Sequence, residues 1–219
     1  MIASAEEAAV SPPGEIPIFP LPGVLLLPRG RVPLHIFEPR YRNMTRDALA
    51  GPEVIGMVQP AGPGEQGPQP PVYDTGCAGR ITELRTTEDG RYYFTLVGLC
   101  RFRIAEELAP RDGYRRIVAD YAPYIADLDG ARKDAIDREG FLAALRTYVD
   151  RRGVDADWDA IEETPDERLV TAIATAFPFE DRERQAVLEA LTLAERAALM
   201  TALMEMASIA PEGESPRKH

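Results

Sequence analysis

The sequence lacks the motifs that carry the most familiar enzyme chemistry. Its 219 residues contain no Gly-Lys dipeptide and no HExxH, CxxC or GxSxG motif. The first absence excludes the usual phosphate-binding loop, and the others exclude the common zinc and serine-hydrolase sites. We therefore expect a protein that is not an enzyme, with no catalytic residue, no metal ion and no cofactor.

Cysteine and histidine are also scarce. Two cysteines, Cys77 and Cys100, are too few for the disulfide framework of a secreted protein, which favours reduced thiols and a cytoplasmic location. Together with His35 they could form a metal site or a Cys/His pair, but their spacing does not favour one. Buried thiols and a structural histidine are the simpler interpretation.

Long apolar runs and excess positive charge are absent as well. No stretch approaches the ~18 apolar residues of a membrane span, and the first 15 residues have no basic start followed by an apolar segment. We therefore expect neither membrane insertion nor export. The formal net charge of -11 repels phosphate backbones, which disfavours nucleic acid as a partner.

The most distinctive stretch is FPLPGVLLLPRGRVPLHIFEPRYRNM, residues 19–44. Its prolines exclude a helix at first and predict two short extended segments, followed by a strand that alternates from Arg31. Pro39 suits the first turn of a helix, which we predict to run until the Gly51-Pro52 pair. The stretch thus predicts a strand, a corner and a helix.

The periodicity changes near residue 125. Short β-rich segments, with an EDG turn inside a hairpin and a bulge or bend at Gly98, precede this point, and helical spacing follows it. The predicted organisation is a flexible tail (1–15), a β-rich lobe (16–124), a linker (125–135), a helical bundle (136–208) and a second flexible tail (209–219). The fold class is therefore α+β.

Capping boxes mark two of the predicted helices. Thr164 with Glu167, and Thr192 with Glu195, have the spacing in which a threonine and a glutamate satisfy each other's backbone N–H groups. A methionine stripe in the last helix could line a peptide groove, but at helical spacing it is more often core. Its members are Met200, Met204 and Met206.

Three segments together resemble one known family. IPIFPLPGVLLLPRGRVPLHIFEPRYRNMTRDAL, YDTGCAGRITELRTTEDGRYYFTLVGLCRFRI and FPFEDRERQAVLEALTLAERAALMTALME resemble, in order, the substrate-binding N-terminal domain of Lon proteases, also found as free-standing bacterial proteins and, more distantly, in cereblon. The resemblance covers residues 16–207. It implies a PUA-like pseudo-barrel followed by an α-helical bundle. The ATPase and Ser-Lys peptidase modules that follow this domain in full-length Lon are not expected in this chain.

The resemblance implies a recognition function. We expect a non-catalytic module that binds unfolded or hydrophobic polypeptide segments or a protein partner, and a separate protease is one such partner. The candidate substrate-binding residues are Phe37, Glu38, Arg40 and Tyr41, at the corner between strand and helix. Glu38 and Arg40 could equally lock the corner, and Phe37 could be core.

Two other functions stay open at this point. A small barrel with Cys77, Cys100 and His35 is compatible with a small-molecule sensor. RNA binding rests on analogy with PUA-type barrels and on the arginines of residues 19–44, and the acidic total charge argues against it. The sequence leaves the ligand and the oligomeric state undetermined.

Overall fold

A computed structural model describes residues 12–62, 70–130 and 135–209. The elements are β1 (Glu15–Pro20), β2 (Arg31–Ile36), α1 (Pro39–Leu49), β3 (Val54–Val58), β4 (Thr75–Thr86), β5 (Tyr92–Arg111), β6 (Tyr114–Asp120), a 3-10 helix (Ala122–Leu128), α2 (Arg138–Arg151), α3 (Trp158–Glu163), α4 (Asp166–Ala176), α5 (Asp181–Glu189) and α6 (Leu193–Ile209). Strands fill the first half and helices the second, which confirms the predicted α+β class. Much of both predicted tails, and residues 131–134 of the predicted linker, lie outside the described residues.

The six strands form one sheet that closes on itself. Their order is β2-β5-β4-β3-β1-β6, and β6 also pairs with β5. Five strands therefore make a ring, while β2 lies outside it, paired antiparallel with the first part of β5. Closure removes the edges of the ring itself, and β2 lies at a free edge of the sheet.

Gly98 lies where β5 bends, as predicted. The register shifts between the pairs Ala78 with Cys100 and Gly79 with Gly98, which leaves Leu99 as an extra residue in β5. A Cβ atom at Gly98 would lie 2.0 Å from the carbonyl oxygen of Leu27. A side chain at this position would therefore collide with the incoming backbone, which explains the glycine.

The leucines before β2 form no strand, in contrast to the predicted second extended segment. Leu25, Leu26 and Leu27 are buried without a strand ladder. The backbone near Leu27 instead bonds to the bend in β5, where the Arg29 N–H donates to the Gly98 carbonyl at 2.7 Å. The prolines that flank the segment limit its ladder hydrogen bonds, and its apolar side chains reach the core from a loop.

Two apolar clusters make up the core. The smaller cluster, including Ile16, Phe102 and Ile117, consists of strand residues with a few partly buried neighbours. The larger one contains side chains from both halves of the chain, among them Leu96 and Phe141. The sheet and the helices therefore share one core.

A buried ion pair joins the halves at one point. Arg101 in β5 and Asp127 in the 3-10 helix are 1% and 3% exposed, and the guanidinium donates to both carboxylate oxygens at 2.8 and 2.9 Å. The remaining guanidinium N–H groups donate to the carbonyls of Leu188, Ala190 and Leu191, where α5 ends. A cation there neutralises the negative end of the helix and satisfies carbonyls that the helix leaves unpaired.

Of the two predicted capping boxes, one is confirmed and one is wrong. The Thr192 N–H donates to the Glu195 carboxylate at 3.1 Å, and the Glu195 N–H donates to the Thr192 hydroxyl at 3.1 Å. Thr164 is the C-cap of α3 and not the N-cap of α4, because α4 begins one residue later than predicted, with Pro165 at the N-cap. Glu167 accepts a hydrogen bond from Arg29 instead.

The methionine stripe belongs mainly to the core. Met200 and Met204 are fully buried, whereas Met206 is exposed. The interpretation as core is therefore confirmed for two of the three side chains.

Across the described ranges, the helices lack the combination of length and apolar character that crossing a membrane requires.

Candidate functional site

The outer face of β2 presents side chains to solvent at the edge of the sheet. Val32, Leu34 and Ile36 are buried, and the alternating side chains of Arg31, Pro33 and His35 are exposed, as the sequence pattern predicted. Phe37 continues the outward set one step beyond the strand and is 58% exposed. Exposed apolar side chains that adjoin one another mark contact surfaces, and Phe37 adjoins further exposed rings, so the face is a candidate contact surface.

Three rings form a continuous aromatic row on this face. His35 lies opposite Tyr93 of β5, and their rings stack at 4.2 Å with an interplanar angle of 5°. The Phe37 ring follows at 5.4 Å from the His35 ring. We call Phe37, His35 and Tyr93 the aromatic row. It gives the protein an exposed aromatic strip whose ring faces can accept further aromatic or aliphatic side chains.

An open cavity of about 390 Å³ adjoins the aromatic row. Its lining includes Pro33, Tyr93 and Thr95, with Glu83 and Arg85 of β4. The register of β4 against β5 slips between Thr82 and Arg85, and Glu83 has a left-handed backbone with φ of 54°. This irregularity places a carboxylate and a guanidinium beside the same cavity.

The carboxylate of Glu83 is fully committed within this group. It accepts a hydrogen bond from the Thr95 hydroxyl at 2.7 Å and pairs with Arg31 at 2.5 Å. The Thr95 hydrogen bond, followed by the Arg31 ion pair, lowers the pKa of Glu83 below its usual range. Arg85 is exposed, and within the described parts of the chain its guanidinium has neither a hydrogen bond nor an ion pair.

The four residues predicted from the sequence divide into two groups. Phe37 faces solvent in the aromatic row, so the interpretation of Phe37 as core does not apply. Glu38 and Arg40 pair with each other at 3.1 Å, as the corner-locking alternative describes. Tyr41 is buried, with the Phe19 ring 4.3 Å away and the Arg40 guanidinium 4.5 Å from its own ring. The structure therefore places one of the four on the exposed surface and uses the others in the corner.

Residues that are remote from Phe37 in the sequence complete the surface, and the sequence patterns do not predict them. Tyr93 and Arg85 belong to none of the motifs described under sequence analysis. Their place beside Phe37 depends on the pairing of β2, β5 and β4. The period-two pattern of β2, which turns His35 outward, was the available signal.

The two cysteines lie in a different environment from His35. Both thiols are buried, and His35 is exposed on the aromatic row. Burial raises the pKa of Cys77 and raises that of Cys100 to about 12, so that neither is a thiolate at neutral pH. No group of three metal-ligating side chains occurs within the described ranges. These observations give no support to a site built from Cys77, Cys100 and His35.

A second cavity lies between the β-rich and helical halves. It measures about 450 Å³, and its lining includes Pro60 and Tyr73 together with charged residues of α5 and its N-cap, Glu180 to Arg182 and Arg184. This is the boundary at which a bilobed protein could hold an extended ligand. Its charged wall offers less apolar contact than the aromatic row, and the neighbouring residues 63–69 lie outside the described ranges.

Comparison with protein families and solved structures places these features in context. The family model of the ATP-dependent protease La (LON) substrate-binding domain matches residues 15–206. Lon protease 2 of Myxococcus xanthus is 27% identical over 230 residues, which cover 92% of this chain and 26% of that protein. The Lon protease of Dictyoglomus thermophilum is 22% identical, over 84% of this chain and 23% of that protein. The chain thus spans about a quarter of the length of these relatives.

Two solved structures share the fold. The Lon N-terminal domain protein from Xanthomonas campestris superposes with a TM-score of 0.59 at 21% identity, over 86% of this chain and 97% of that one. The N-terminal domain of Mycobacterium avium complex Lon protease gives a TM-score of 0.58 at 14% identity, over 87% and 98%. The match extends across both halves of the molecule.

Proposed function

Because the chain belongs to the Lon substrate-binding domain family, we propose that it is a non-catalytic recognition module that binds hydrophobic segments of unfolded polypeptides. The observation that carries the proposal is the exposed aromatic row at the edge of the sheet. Phe37 and Tyr93 expose 58% and 43% of their surface, and the cavity beside them can receive a side chain. Covering such rings with an apolar ligand removes both surfaces from water.

Side-chain contact is the mode of binding that the edge strand favours. Pro33 lies in the middle of β2 and has no N–H group, so β2 cannot offer an uninterrupted ladder to an added strand. A ligand would therefore gain most of its affinity from the rings and the cavity, with a short backbone contact at most. This mode tolerates many sequences, because each hydrophobic residue has a face that can lie on a ring.

The predicted corner residues have distinct roles in this proposal. Phe37 contacts the ligand directly. Glu38, Arg40 and Tyr41 hold the turn that presents it, through the Glu38–Arg40 pair and the packing of Tyr41 on Phe19. Replacing Tyr41 would then weaken binding by disturbing the corner.

The proposal also covers the cellular location of the protein and its binding partners. We propose a cytoplasmic module that acts on polypeptides and not on nucleic acid, and that needs no cofactor. Its relatives are Lon proteases, and a protease that receives the bound segments is the partner of choice. Co-purification of such a protease with the wild-type chain, and its loss with a Phe37→Ala/Tyr93→Ala variant, is the expected result.

A peptide-binding titration tests the proposal. The probes are fluorescent unstructured peptides with one phenylalanine or leucine, and matched peptides with serine in its place. The Phe37→Ala/Tyr93→Ala variant should bind the hydrophobic peptides about tenfold or more weakly, since losing buried ring contacts costs about 1.5–3 kcal/mol per fully buried side chain. The control is Val154→Ala, because Val154 is 57% exposed and lies in the helical half.

The result that would remove the proposal is equally specific. It is wrong if hydrophobic peptides show no binding at tens of micromolar, or if the double variant binds them as the wild type does. A loss of affinity in the Val154→Ala control equal to that of the double variant would also contradict it.

A further inference from the structure

Arg85 is an uncommitted cation at one end of the aromatic row. It lies opposite Tyr93 in the β4–β5 ladder, and both side chains line the same cavity. Tyr93 in turn lies opposite His35, which precedes Phe37 on the outer face. The order across the face is therefore Arg85, Tyr93, His35 and Phe37, a charge followed by three rings.

The other charges around the cavity are paired. Glu83, the second charged residue in its lining, is held by Arg31 and Thr95. Asp89 and Arg91, in and beside the hairpin turn, pair at 2.8 Å.

Beside Phe37, at the far end of the row, Glu38 pairs with Arg40. The guanidinium of Arg42 lies against Gly90 in the hairpin turn and does not line the cavity. Among the described residues that line the cavity, Arg85 is therefore the one unpaired positive charge, on a chain whose net charge is -11.

The dimensions of the face determine how far apart the two contact groups of a ligand would lie. The ring centres of Phe37 and His35 are 5.4 Å apart, and those of His35 and Tyr93 are 4.2 Å apart. Phe37 lies two residues beyond His35 along the chain, and Arg85 lies two strands across from His35, so spacings of ~4.8 Å per strand and ~3.3 Å per residue place Arg85 on the order of 12 Å from Phe37. An extended chain rises ~3.3 Å per residue, and about four residues span this distance.

We propose that the site selects segments that carry an acidic side chain about four residues from a hydrophobic anchor, with the anchor on Phe37 and the carboxylate on Arg85. This inference rests on the proposed function and names its ligand class. The complementarity is local: at physiological ionic strength charges are screened beyond ~8 Å, so the chain's overall negative charge does not repel a carboxylate held at Arg85. Arginine suits the role because its planar donors match the two oxygens of a carboxylate.

A charge-swap titration tests the inference. The probes are unstructured peptides with one phenylalanine and, four residues before or after it, aspartate, serine or lysine. On the wild type, the better-placed aspartate peptide should bind about threefold more tightly than its serine counterpart and roughly tenfold more tightly than the lysine one, as expected for an exposed pair. Arg85→Glu should reverse the order of aspartate and lysine. Arg103→Glu is the matched control. Arg103 of β5 lies opposite Thr75, which is ten residues from Arg85 along β4, so the same charge change there should keep the wild-type order.

The outcomes separate the inference from the function beneath it. Reversal in Arg85→Glu alone supports the inference. If all three peptides bind equally, with affinity still lost in Phe37→Ala/Tyr93→Ala, the charge selection is wrong and the proposed function stands. If Arg103→Glu reverses the order as well, the effect is a long-range field and the assignment to Arg85 is overturned. If none of the peptides binds, both proposals fail.

Discussion

Arg101 and Arg85 lie on neighbouring strands of one sheet, in opposite surroundings. Arg101 is 1% exposed, and its guanidinium makes five hydrogen bonds, to Asp127 and to three carbonyls at the end of α5. Arg85 is exposed beside the aromatic row, and no described residue bonds to its guanidinium. The N–H groups of a buried guanidinium must find hydrogen-bond acceptors within the fold. Those of an exposed guanidinium are hydrated, and they can bind a ligand instead of water. The junction at Arg101 is therefore architecture, and the face at Arg85 is available for recognition.

The largest effect should come from breaking the junction. Asp127→Asn leaves Arg101 buried without its counter-charge, and removing one partner of a buried pair costs about 3–5 kcal/mol. We expect chemical denaturation to show a loss of unfolding free energy of this size. Asp129→Asn, at an exposed position just after the 3-10 helix, should change it by less than about 0.5 kcal/mol. Equal stability of the two variants would contradict this account of the junction.

Acid should reveal part of the same contribution. Burial alone would raise the pKa of Asp127, but the hydrogen bonds and charge of Arg101 hold it below its ordinary value of 3.8. A carboxyl with a lowered pKa stabilises the fold above the pKa of the unfolded chain, and this contribution is lost as the pH falls through the folded value. Wild-type stability should therefore drop steeply below about pH 4, and that of Asp127→Asn should drop less. Denaturation midpoints measured between pH 7 and pH 2 check this, and parallel curves would be the contrary result.

Gly98 tests a second buried contact of β5, with the backbone of the loop before β2. Gly98→Ala places a Cβ atom 2.0 Å from the Leu27 carbonyl oxygen, so the loop before β2 must move, at a cost of about 1–3 kcal/mol. Gly14→Ala is the control, because a Cβ atom there meets nothing within 4 Å. Thermal melts of the two variants should separate clearly, and a wild-type melting temperature for Gly98→Ala would show that the loop is not held against β5.

The smallest change in stability belongs to the recognition face. Phe37→Ala removes an exposed ring, so the free energy of unfolding should stay within about 0.5 kcal/mol of the wild type while peptide affinity falls. Denaturation and peptide titration on the same preparation measure both quantities. A Phe37→Ala protein that is strongly destabilised would show that Phe37 supports the corner and is not a contact residue.

Local patterns predicted the elements better than their assembly. The alternation of β2, the start of α1 at Pro39 and the capping box at Thr192 depend on neighbours in the chain, and the structure confirms them. The Thr164 box is wrong because α4 begins at Asp166, and Glu167 accepts a hydrogen bond from Arg29, which is remote in sequence. Period and capping signals contain no information about such contacts.

The candidate site shows the same limit. Phe37 could be identified from the corner at which strand becomes helix, but its neighbours in the aromatic row depend on strand register. A shift of one residue between β2 and β5 would turn Tyr93 away from His35, and the slip between Thr82 and Arg85 decides that Arg85 lines the cavity. The buried junction between Arg101 and Asp127 is harder still to predict, because the sequence pattern does not distinguish Arg101 from the other charged residues of β5.

Photo-crosslinking with a hydrophobic peptide tests the central claim most directly. The peptide carries a photoreactive phenylalanine analogue at its anchor position, and mass spectrometry locates the attached residues on the wild-type chain. We predict crosslinks at Pro33 to Phe37 and on the β4–β5 hairpin from Glu83 to Thr95, competed by the unlabelled peptide. Crosslinks concentrated instead at the cavity between Tyr73 and α5, or spread without preference over the surface, would contradict the assignment of recognition to the aromatic row.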